Sequence, residues 1–469
     1  MAEEQARTPL FSALREYVAR VRAPLHVPGH KMGRAAPSAW REFLGPNALA
    51  IDLTEAPGLD DLHAPEGVIA EAQELAARAF GAWRSYFLVG GTTAGLHALI
   101  LAACHPGEAI AVPRNAHRSV LGALILAGVR PHWVRVAFDP DLGIATGPVL
   151  TSLEEALSGA AAAVLVHPTY YGIAGDTAAA IDLIHRAGVP ALVDEAHGAH
   201  FPFHPALPPS ALELGADGVV QSLHKTGGSL TQSSLCHLGH GSRIAPQRLQ
   251  EMLRLVQSTS PSYLLMASLD LARRELALGG REAWGRALEL AHEAKRRIDA
   301  LPGLRVRPTD DPTKLLIDVR GRSISGFRAA ERLWEEAGVA VEASGLTYVL
   351  AVLSPGDSRE QIDALVAGLE RLSSEGDVPA LPPEPPWPEV VLPPREAYLA
   401  RKKAVPLRQA RGRIAAELVA PYPPGIPVVA PGERLTADVL DYLRRAADAG
   451  WHLQGPADPA LRSIQVVEE

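Results

Sequence analysis

The stretch that decides the fold is Gly218-Val219-Val220-Gln221, followed by Ser222-Leu223-His224-Lys225-Thr226-Gly227-Gly228. A short apolar run that ends in polar residues and glycine predicts a buried strand with functional groups at its carboxyl end. The same pattern occurs upstream in Ala191-Leu192-Val193, which is followed by Asp194-Glu195-Ala196-His197-Gly198. Because a lysine and an aspartate end two successive predicted strands, we expect both side chains at one edge of a parallel sheet.

A lysine and an aspartate in these positions suit pyridoxal phosphate (PLP). This cofactor needs a lysine amine for its Schiff-base linkage, and a carboxylate that keeps its pyridine nitrogen protonated so that the ring withdraws electrons. Burying an ammonium group is costly, and desolvation lowers the pKa of a lysine as an imine-forming amine requires. The sequence therefore predicts a desolvated Lys225 paired with Asp194. Taken alone, Asp194 would be interpreted as a helix cap or a metal ligand.

A glycine- and threonine-rich turn precedes these two clusters. Gly90-Gly91-Thr92-Thr93-Ala94-Gly95 follows the predicted strand Ser85–Val89 and opens a helix. Glycine lets the backbone approach a ligand closely, and a helix start offers free N–H groups and positive dipole to a phosphate. Thr92 and Thr93 add hydroxyl groups. The alternative is that the turn simply caps the helix. Because the turn precedes the clusters that contain Asp194 and Lys225, we favour a phosphate site.

Several histidines adjoin the same predicted strand ends. His117 follows another strand, where it either caps the next helix or stacks flat on the cofactor ring. His224, beside Lys225, either packs locally or binds the phosphate or transfers a proton. His197, His200 and His204 superficially resemble a metal cluster, but their spacing fits no zinc motif, so we expect no metal.

Composition restricts the class of protein. The chain has 469 residues, a net charge of −8, no block of like charge and two cysteines, Cys104 and Cys236. An acidic balance argues against a nucleic-acid surface, and two distant cysteines argue against a disulfide framework. The start is acidic rather than basic and then apolar, and no apolar run approaches 18 residues. These features predict a cytoplasmic protein without a membrane segment.

Apolar runs alternate with helical patterns from about Pro65 to Gly241, which predicts a mostly parallel sheet with helices on both faces. The predicted fold class is α/β, with a large domain built on seven strands, a small α+β domain and a C-terminal domain. The predicted strands are Ser85–Val89, Ala109–Pro113, His132–Val136, Ala163–His167, Ala191–Asp194, Gly218–Ser222 and Ser234–Leu238.

The predicted organisation has five parts. An N-terminal segment with dimer contacts (1–64) precedes the large domain (65–278), and a smaller α+β domain (279–378) begins with a long helix from Arg281. Pro379–Pro394 is half proline, which favours an extended linker. A C-terminal domain (395–469) follows and contains the proline-rich loop Pro421–Pro427.

With these motifs in order, the chain resembles the fold-type-I, PLP-dependent ornithine/lysine/arginine decarboxylases of bacteria, in a short form without the N-terminal wing domain. The resemblance runs nearly end to end. Its motifs are Val27–Gly33, Leu59–His63, Gly90–Gly95, His117, Pro168–Gly172, Asp194–Gly198, Ser222–Gly228, Gln257–Tyr263, Gly412–Ile414 and Tyr422–Pro427.

The resemblance implies a role for each matching residue. Lys225 would carry the Schiff base, Asp194 would pair with the pyridinium nitrogen, and His117 would stack on the ring opposite Ala196. His197 joins them in the implied cofactor site. The phosphate would be held by Thr92, Thr93, Ser222 and His224, and Ser258 would reach the phosphate of a neighbouring subunit. A homodimer or higher homo-oligomer with the active site at its interface is therefore expected.

The expected reaction is decarboxylation of a basic L-amino acid to CO2 and agmatine or a diamine, and by analogy with other short forms we expect it to belong to polyamine synthesis. Arginine is favoured over lysine and ornithine. The distal cation of the substrate should need a carboxylate; the candidate substrate residues are Glu55, Asp60, Asp61, Tyr171 and Glu417. Two alternatives remain open: another fold-type-I reaction, such as transamination or aldol cleavage, and a non-catalytic regulator.

Overall fold

The computed structural model describes residues 2–376, 378, 380–381, 384–422 and 426–468. The helices are α1 (Ala2–Gln5), α2 (Pro9–Arg20), α3 (Ser38–Ala50), α4 (Val68–Phe80), α5 (Gly91–Ala103), α6 (Arg118–Ala127), α7 (Leu150–Ala156), α8 (Thr177–Arg186), α9 (Leu223–Thr226), α10 (Pro246–Val256), α11 (Tyr263–Asp299), α12 (Gly326–Ala337), α13 (Arg359–Glu370), α14 (Pro394–Leu399) and α15 (Ala437–Asp448).

The strands alternate with these helices through the first half of the chain. They are β1 (Arg84–Leu88), β2 (Ala109–Pro113), β3 (Arg130–Val134), β4 (Val136–Asp139), β5 (Ile144–Pro148), β6 (Ala160–Val166), β7 (Ala191–Asp194), β8 (Gly218–Gln221), β9 (Ser234–Leu238), β10 (Arg305–Arg307), β11 (Lys314–Asp318), β12 (Ala343–Ser344), β13 (Tyr348–Val352), β14 (Lys402–Pro406), β15 (Ala420–Tyr422), β16 (His452–Gln454) and β17 (Ser463–Val467). All seven strands predicted for the large domain are present.

By their internal contacts, the residues form two compact units. The first unit comprises residues 1–103 and 190–281. Its strands lie in the order β1-β9-β8-β7. β7 and β8 are parallel, whereas β9 runs antiparallel to both of its neighbours. This part of the sheet is therefore mixed.

Two glycines let α5 pack closely on this sheet. A Cβ atom added at Gly95 would lie 2.7 Å from Val220 Cγ1, and one added at Gly218 would lie 2.7 Å from Leu99 Cδ2. Any larger residue would push the helix away from β8. The close packing fixes the start of α5 relative to the end of β8.

The second unit comprises residues 104–189 and 282–469. It contains three parallel strands in the order β6-β2-β3 and an antiparallel four-stranded sheet in the order β10-β11-β13-β12. Small antiparallel pairs follow, β14 with β17 and β15 with β16. Apolar side chains of α12 and α13, such as Leu333 and Leu369, are buried in one core with Ile317 of β11.

A buried ion pair stabilises this second unit. Arg114 Nη1 and Nη2 donate to the two carboxylate oxygens of Glu433 at 2.5 and 2.9 Å, and Nη2 also donates to Val428 O at 2.7 Å. The bidentate geometry and the extra carbonyl compensate for the cost of burying both charges. Arg114 thereby connects the end of β2, just before His117, to the C-terminal part of the chain.

The predicted start of the long helix is wrong. α11 begins at Tyr263, not at Arg281. The sequence pattern changes at about Gly279, but the helix runs through this point. A Cβ atom at Gly280 would lie 3.0 Å from Phe203 Cβ, so this glycine allows close packing while the helix continues.

Parts of two predicted segments lie outside the described residues. In the predicted linker these are Pro379, Pro382 and Pro383, and in the predicted proline-rich loop they are residues 423–425. Within the part of the chain that the structure describes, no helix is long and apolar enough to cross a membrane.

Candidate cofactor-binding site

Two neighbouring parallel strands bring the predicted lysine and aspartate to one edge of the sheet. In the register of β7 and β8, Asp194 lies opposite Val220, and the next backbone amide, Glu195 N–H, donates to Val220 O at 2.9 Å. The polypeptide after Val220 leads through Ser222 directly into α9, which carries Lys225. Asp194 and Lys225 therefore follow adjacent strand ends within the same compact unit, as the sequence predicts.

Asp194 is a buried carboxylate held by its own turn. Its side chain is 7% exposed, and Oδ1 accepts the backbone N–H of Ala196 at 3.1 Å. Ala196 is also buried. A carboxylate that is fixed and buried is well suited to accept a charge-assisted hydrogen bond from a protonated ring nitrogen.

Lys225 differs from the prediction in its exposure. The sequence predicts a desolvated lysine at a strand end, but the residue lies on the one-turn helix α9 and its side chain is exposed. The strand ends at Gln221, so the turn that follows carries the amine away from the apolar interior of the sheet. The expectation of a buried Lys225 is wrong for this structure.

The Lys225 amine has a histidine partner. Nζ lies 2.8 Å from Nε2 of His197, which is buried. In such a pair the ammonium donates to a neutral imidazole, or the imidazole N–H donates to a neutral amine. A proton can therefore be held at either nitrogen. His197, interpreted from sequence only as part of the cofactor site, is brought into direct contact with the predicted attachment point.

The predicted glycine- and threonine-rich turn lies at the start of α5. Gly91, its first residue, has a φ of +70°, which favours glycine, and Thr92 Oγ1 lies 3.2 Å from Ser222 Oγ. The first N–H groups of a helix have no intrahelical acceptor and point along its axis. The structure thus brings Thr92 and Ser222 together beside these donors. Thr93 is exposed one residue further along.

His224 is anchored by one ring nitrogen. Nδ1 lies 3.0 Å from Ser233 O, so Nδ1–H donates to this carbonyl and Nε2 is the acceptor in the neutral ring. Burial lowers the pKa of His224; the Ser233 carbonyl opposes this shift and the neighbouring Lys225 adds to it. To hold a phosphate oxygen through Nε2, the ring would have to gain a proton, which a bound phosphate dianion would favour.

Sequence reasoning missed Gln257. Its Oε1 accepts Val89 N–H at 2.9 Å and its Nε2 donates to Phe87 O at 3.3 Å, so the amide fixes the end of β1 just before the glycine turn. The neighbouring Ser258 is exposed, and its carbonyl lies 2.8 Å from Nε2 of His63. A glutamine four residues before a proline gives no local signal of this role.

The residues present fit PLP. Thr226, which follows Lys225, has a buried Oγ1 without a hydrogen-bond partner among the described residues. Hydroxyl groups and helix N–H donors suit a phosphate, a buried carboxylate suits the ring nitrogen, and an amine suits the aldehyde carbon. Lys225, Asp194, Thr92 and Ser222 would hold the group.

Three candidate residues lie in the second unit. His117 Nδ1 accepts Ser119 N–H at 3.2 Å and lies 2.8 Å from Ser119 Oγ, so the residue caps α6. The buried hydroxyl of Tyr171 lies 3.0 Å from that of Tyr348, and burial raises the pKa of Tyr171. Glu417 accepts Gln465 N–H and Ala457 N–H, both at 2.7 Å. Stacking by His117 and substrate contacts by the other two stay predictions.

The Asp60 carboxylate accepts hydrogen bonds from backbone amides of the first unit. One carboxylate oxygen accepts Gly67 N–H and Ile69 N–H at 2.8 and 2.9 Å, at the start of α4. Burial opposes ionisation of Asp60, but backbone N–H donors, that of Glu66 foremost, outweigh it and lower its pKa. Among the described residues, Asp61 accepts one backbone amide, His63 N–H, through Oδ1 at 2.8 Å. The substrate roles proposed for Asp60 and Asp61 stay predictions.

We expect Asp60→Ala to destabilise the protein by about 1–2 kcal/mol, because the first turn of α4 would lose its acceptor. Because the pKa of Asp60 is lowered in the folded protein, its contribution to the free energy of unfolding is fully present above the ordinary pKa of an aspartate. This contribution is lost as the pH falls through the pKa of Asp60 in the folded protein. Urea unfolding at pH 7 and at acidic pH would measure both effects. Asp61→Ala is the matched control, and an equal loss in both variants would contradict the prediction.

Comparisons with known proteins agree with this geometry. Residues 8–307 match the family described as Orn/Lys/Arg decarboxylase, major domain, and residues 385–457 match its C-terminal domain. The chain is 40% identical to "Arginine decarboxylase" of Bacillus subtilis (strain 168), over 99% of both chains. The chain belongs to the Orn/Lys/Arg decarboxylase family.

Solved structures show the fold. The structure of the constitutive lysine decarboxylase of Escherichia coli superposes with a TM-score of 0.86 at 23% identity, covering 99% of this chain and 82% of the other. A structure described as "SPT with PLP" gives a TM-score of 0.51 at 17% identity, covering 64% of this chain and 75% of the other. The fold is that of the type I PLP enzymes, and the cofactor of this decarboxylase family is PLP.

Proposed function

We propose that this protein decarboxylates L-arginine to agmatine and CO2, with lysine and ornithine as the next candidate substrates. The observation that carries the proposal is the full-length, 40% identity to a protein named arginine decarboxylase. The arrangement of Asp194 and Lys225 at adjacent strand ends supports the same chemistry.

When bound, PLP supplies an electron sink that accepts the electron pair of the bond between Cα and the carboxylate. Asp194 would hold a proton on the ring nitrogen and so keep the sink electron-poor. Thr92, Ser222 and the start of α5 would bind the phosphate and fix the orientation of the ring. The Lys225 and His197 pair holds a proton between Nζ and Nε2 at 2.8 Å and would deliver it to Cα after CO2 leaves.

The carboxylates that could bind the distal cation of the substrate differ in the hydrogen bonds that they already accept within the protein. Asp60 and Glu417 accept backbone amides through their side chains. Asp61 uses one oxygen for His63 N–H, and Glu55 is exposed and accepts only Thr54 Oγ1 among its described contacts. We therefore favour Glu55 and Asp61 as the residues that bind the guanidinium group of arginine.

The experiment is release of CO2 from arginine, lysine and ornithine by the purified, PLP-loaded protein, with identification of the amine product. We expect agmatine from arginine at a kcat/KM at least about tenfold above the other two, a difference of about 1.4 kcal/mol in transition-state binding. No CO2 from any of the three would contradict the function. Conversion of the bound cofactor to its amine form would instead indicate transamination.

A homodimer forms part of the proposal. Two apolar side chains of the N-terminal segment are largely exposed, Leu25 at 90% and Phe43 at 83%, and Phe43 stacks on Trp40 at a centroid distance of 6.3 Å. Exposed apolar surface of this kind is typical of protein interfaces. Ser258 would then approach the phosphate of the neighbouring subunit. A mass in solution equal to that of one chain would contradict this part.

The cellular setting proposed is the cytoplasm, with agmatine passing to polyamine synthesis. Cys104 and Cys236 are both free and buried, which suits a reducing compartment. Localisation of a tagged chain, and the fall of cellular agmatine after deletion of the gene, would check the two statements.

A further inference from the structure

Four buried polar side chains form one continuous chain of hydrogen bonds across the first unit. Ser85 Oγ lies 2.7 Å from His237 Nδ1, and His237 Nε2 lies 3.1 Å from Gln221 Oε1. Gln221 Nε2 donates to Glu195 Oε2 at 2.7 Å, and Ala211 N–H donates to Glu195 Oε1 at 2.7 Å. The side chains come from β1, β9, β8 and the residue after β7, which is the order of the strands in the sheet. We call them the polar chain.

The polar chain is shielded from solvent. Glu195, Gln221 and His237 are 0% exposed, and the ring of Phe80 stacks on that of His237 at a centroid distance of 5.2 Å. Val220, the neighbour of Gln221, contacts α5 at Gly95, so Gln221 points to the opposite face of the sheet. A row of polar groups here is costly unless every member is bonded.

The donors of the polar chain all point towards Glu195. Burial lowers the pKa of His237 to about 3, so its ring is neutral. Since Nε2–H donates to the Gln221 carbonyl oxygen, Nδ1 accepts the Ser85 hydroxyl. Gln221 in turn donates to Glu195. The aligned donors place positive dipole ends against the Glu195 carboxyl group. A glutamine amide does not exchange protons as an acid does, so the polar chain fixes the Glu195 side chain and conducts no proton.

Glu195 lies between two residues of the candidate site, Asp194 and Ala196. Its backbone N–H donates to Val220 O, and its side chain is bonded to Gln221 and to Ala211 N–H. These three bonds fix the turn on which the Asp194 carboxylate is oriented. Burial raises the pKa of Glu195 to about 8, so its carboxyl group is mostly protonated at neutral pH; bonds from Ala211 and Gln221 oppose this shift, and the charges of Glu213 and Asp194 add to it.

We propose that Glu195, held by the polar chain, is a positioning residue that orients the Asp194 carboxylate for the cofactor ring. The inference rests on the proposed PLP chemistry. Because Glu195 directly follows Asp194 in the chain, the hydrogen bonds that hold the Glu195 side chain also fix the direction of the Asp194 carboxylate. An apolar side chain could fill the same space but would make neither of the bonds to Gln221 and Ala211.

The test is Glu195→Gln, which keeps the size of the side chain but places an amide against donors from Gln221 and Ala211. We expect the dissociation constant of PLP to rise about tenfold, equivalent to about 1.4 kcal/mol. We also expect the pH at which the visible absorbance of the bound cofactor titrates to fall, because a displaced Asp194 carboxylate stabilises the protonated ring nitrogen less well. Glu213→Gln, an exposed carboxylate on the same stretch that accepts Ser210 N–H, is the matched control and should change neither quantity.

A second variant at the far end of the polar chain keeps the test independent of local packing. His237→Gln should weaken PLP binding about threefold in the same direction, and the double variant should bind no more weakly than Glu195→Gln alone, since both act through one network. Urea unfolding of the apoproteins separates stability from cofactor binding. Unchanged PLP affinity and unchanged absorbance titration in folded Glu195→Gln would overturn the inference. A wild-type protein that fails to bind PLP would overturn the proposed function as well.

Discussion

Replacing Lys225 by alanine is expected to lower decarboxylation by about 10⁴-fold or more, because the site loses both its nucleophilic amine and a proton donor. Nζ of Lys225 lies 2.8 Å from His197 Nε2, so the variant also leaves the imidazole without this partner. The visible absorbance of the bound cofactor should disappear. Rates of CO2 release and an absorbance spectrum measure the two effects.

Two matched variants sharpen this prediction. Lys225→Arg keeps a positive charge but offers no amine for covalent attachment, so it should lose activity as Lys225→Ala does. Lys403→Ala removes an exposed lysine of β14 and should leave activity unchanged. Substantial activity in Lys225→Arg would show that charge, and not the amine, is what the site requires.

Asp194→Asn has the second largest expected effect. A neutral amide cannot hold the ring-nitrogen proton, and breaking a buried charge pair typically costs about 3–5 kcal/mol. We therefore expect kcat/KM to fall by about 10²- to 10⁴-fold, with little change in the fold because the side chain keeps its shape. Steady-state rates, together with urea unfolding of the apoprotein, check both parts of this expectation.

A buried aspartate near the next strand serves as the control. Asp217 precedes β8, is 2% exposed, and accepts Ala191 N–H at 2.9 Å and Arg243 N–H at 2.7 Å. Asp217→Asn should lower stability and keep the cofactor absorbance, since these bonds are structural. If Asp194→Asn lost stability but retained its rate, the assignment of Asp194 to the ring nitrogen would be contradicted.

Much of the sheet could be predicted from short apolar runs. β2, β7 and β9 have the predicted bounds, and the helix predicted to open at the Gly90–Gly95 turn begins at Gly91. These elements depend on local periodicity and end in glycine or polar residues, which a single sequence displays. The order of the glycine turn, Asp194 and Lys225 along the chain predicts the type of cofactor, because these motifs are also visible in a single sequence.

Contacts between distant residues could not be predicted. The polar chain joins Ser85 to His237, and Asp60 caps a helix that begins eight residues later, but neither has a local signal. The exposure of Lys225 follows from the turn after β8, which periodicity does not describe. The five-part division of the chain, the stacking of His117 and the approach of Ser258 to a second subunit stay predictions.

The proposed activity depends on a covalent bond between PLP and one amine of this chain. Treatment of the PLP-loaded protein with borohydride, followed by proteolysis and mass spectrometry, locates that bond directly. The account predicts a reduced pyridoxyl group on the peptide that contains Lys225 and on no other lysine. A modification at a different lysine, or none on a protein that still releases CO2 from arginine, would contradict it.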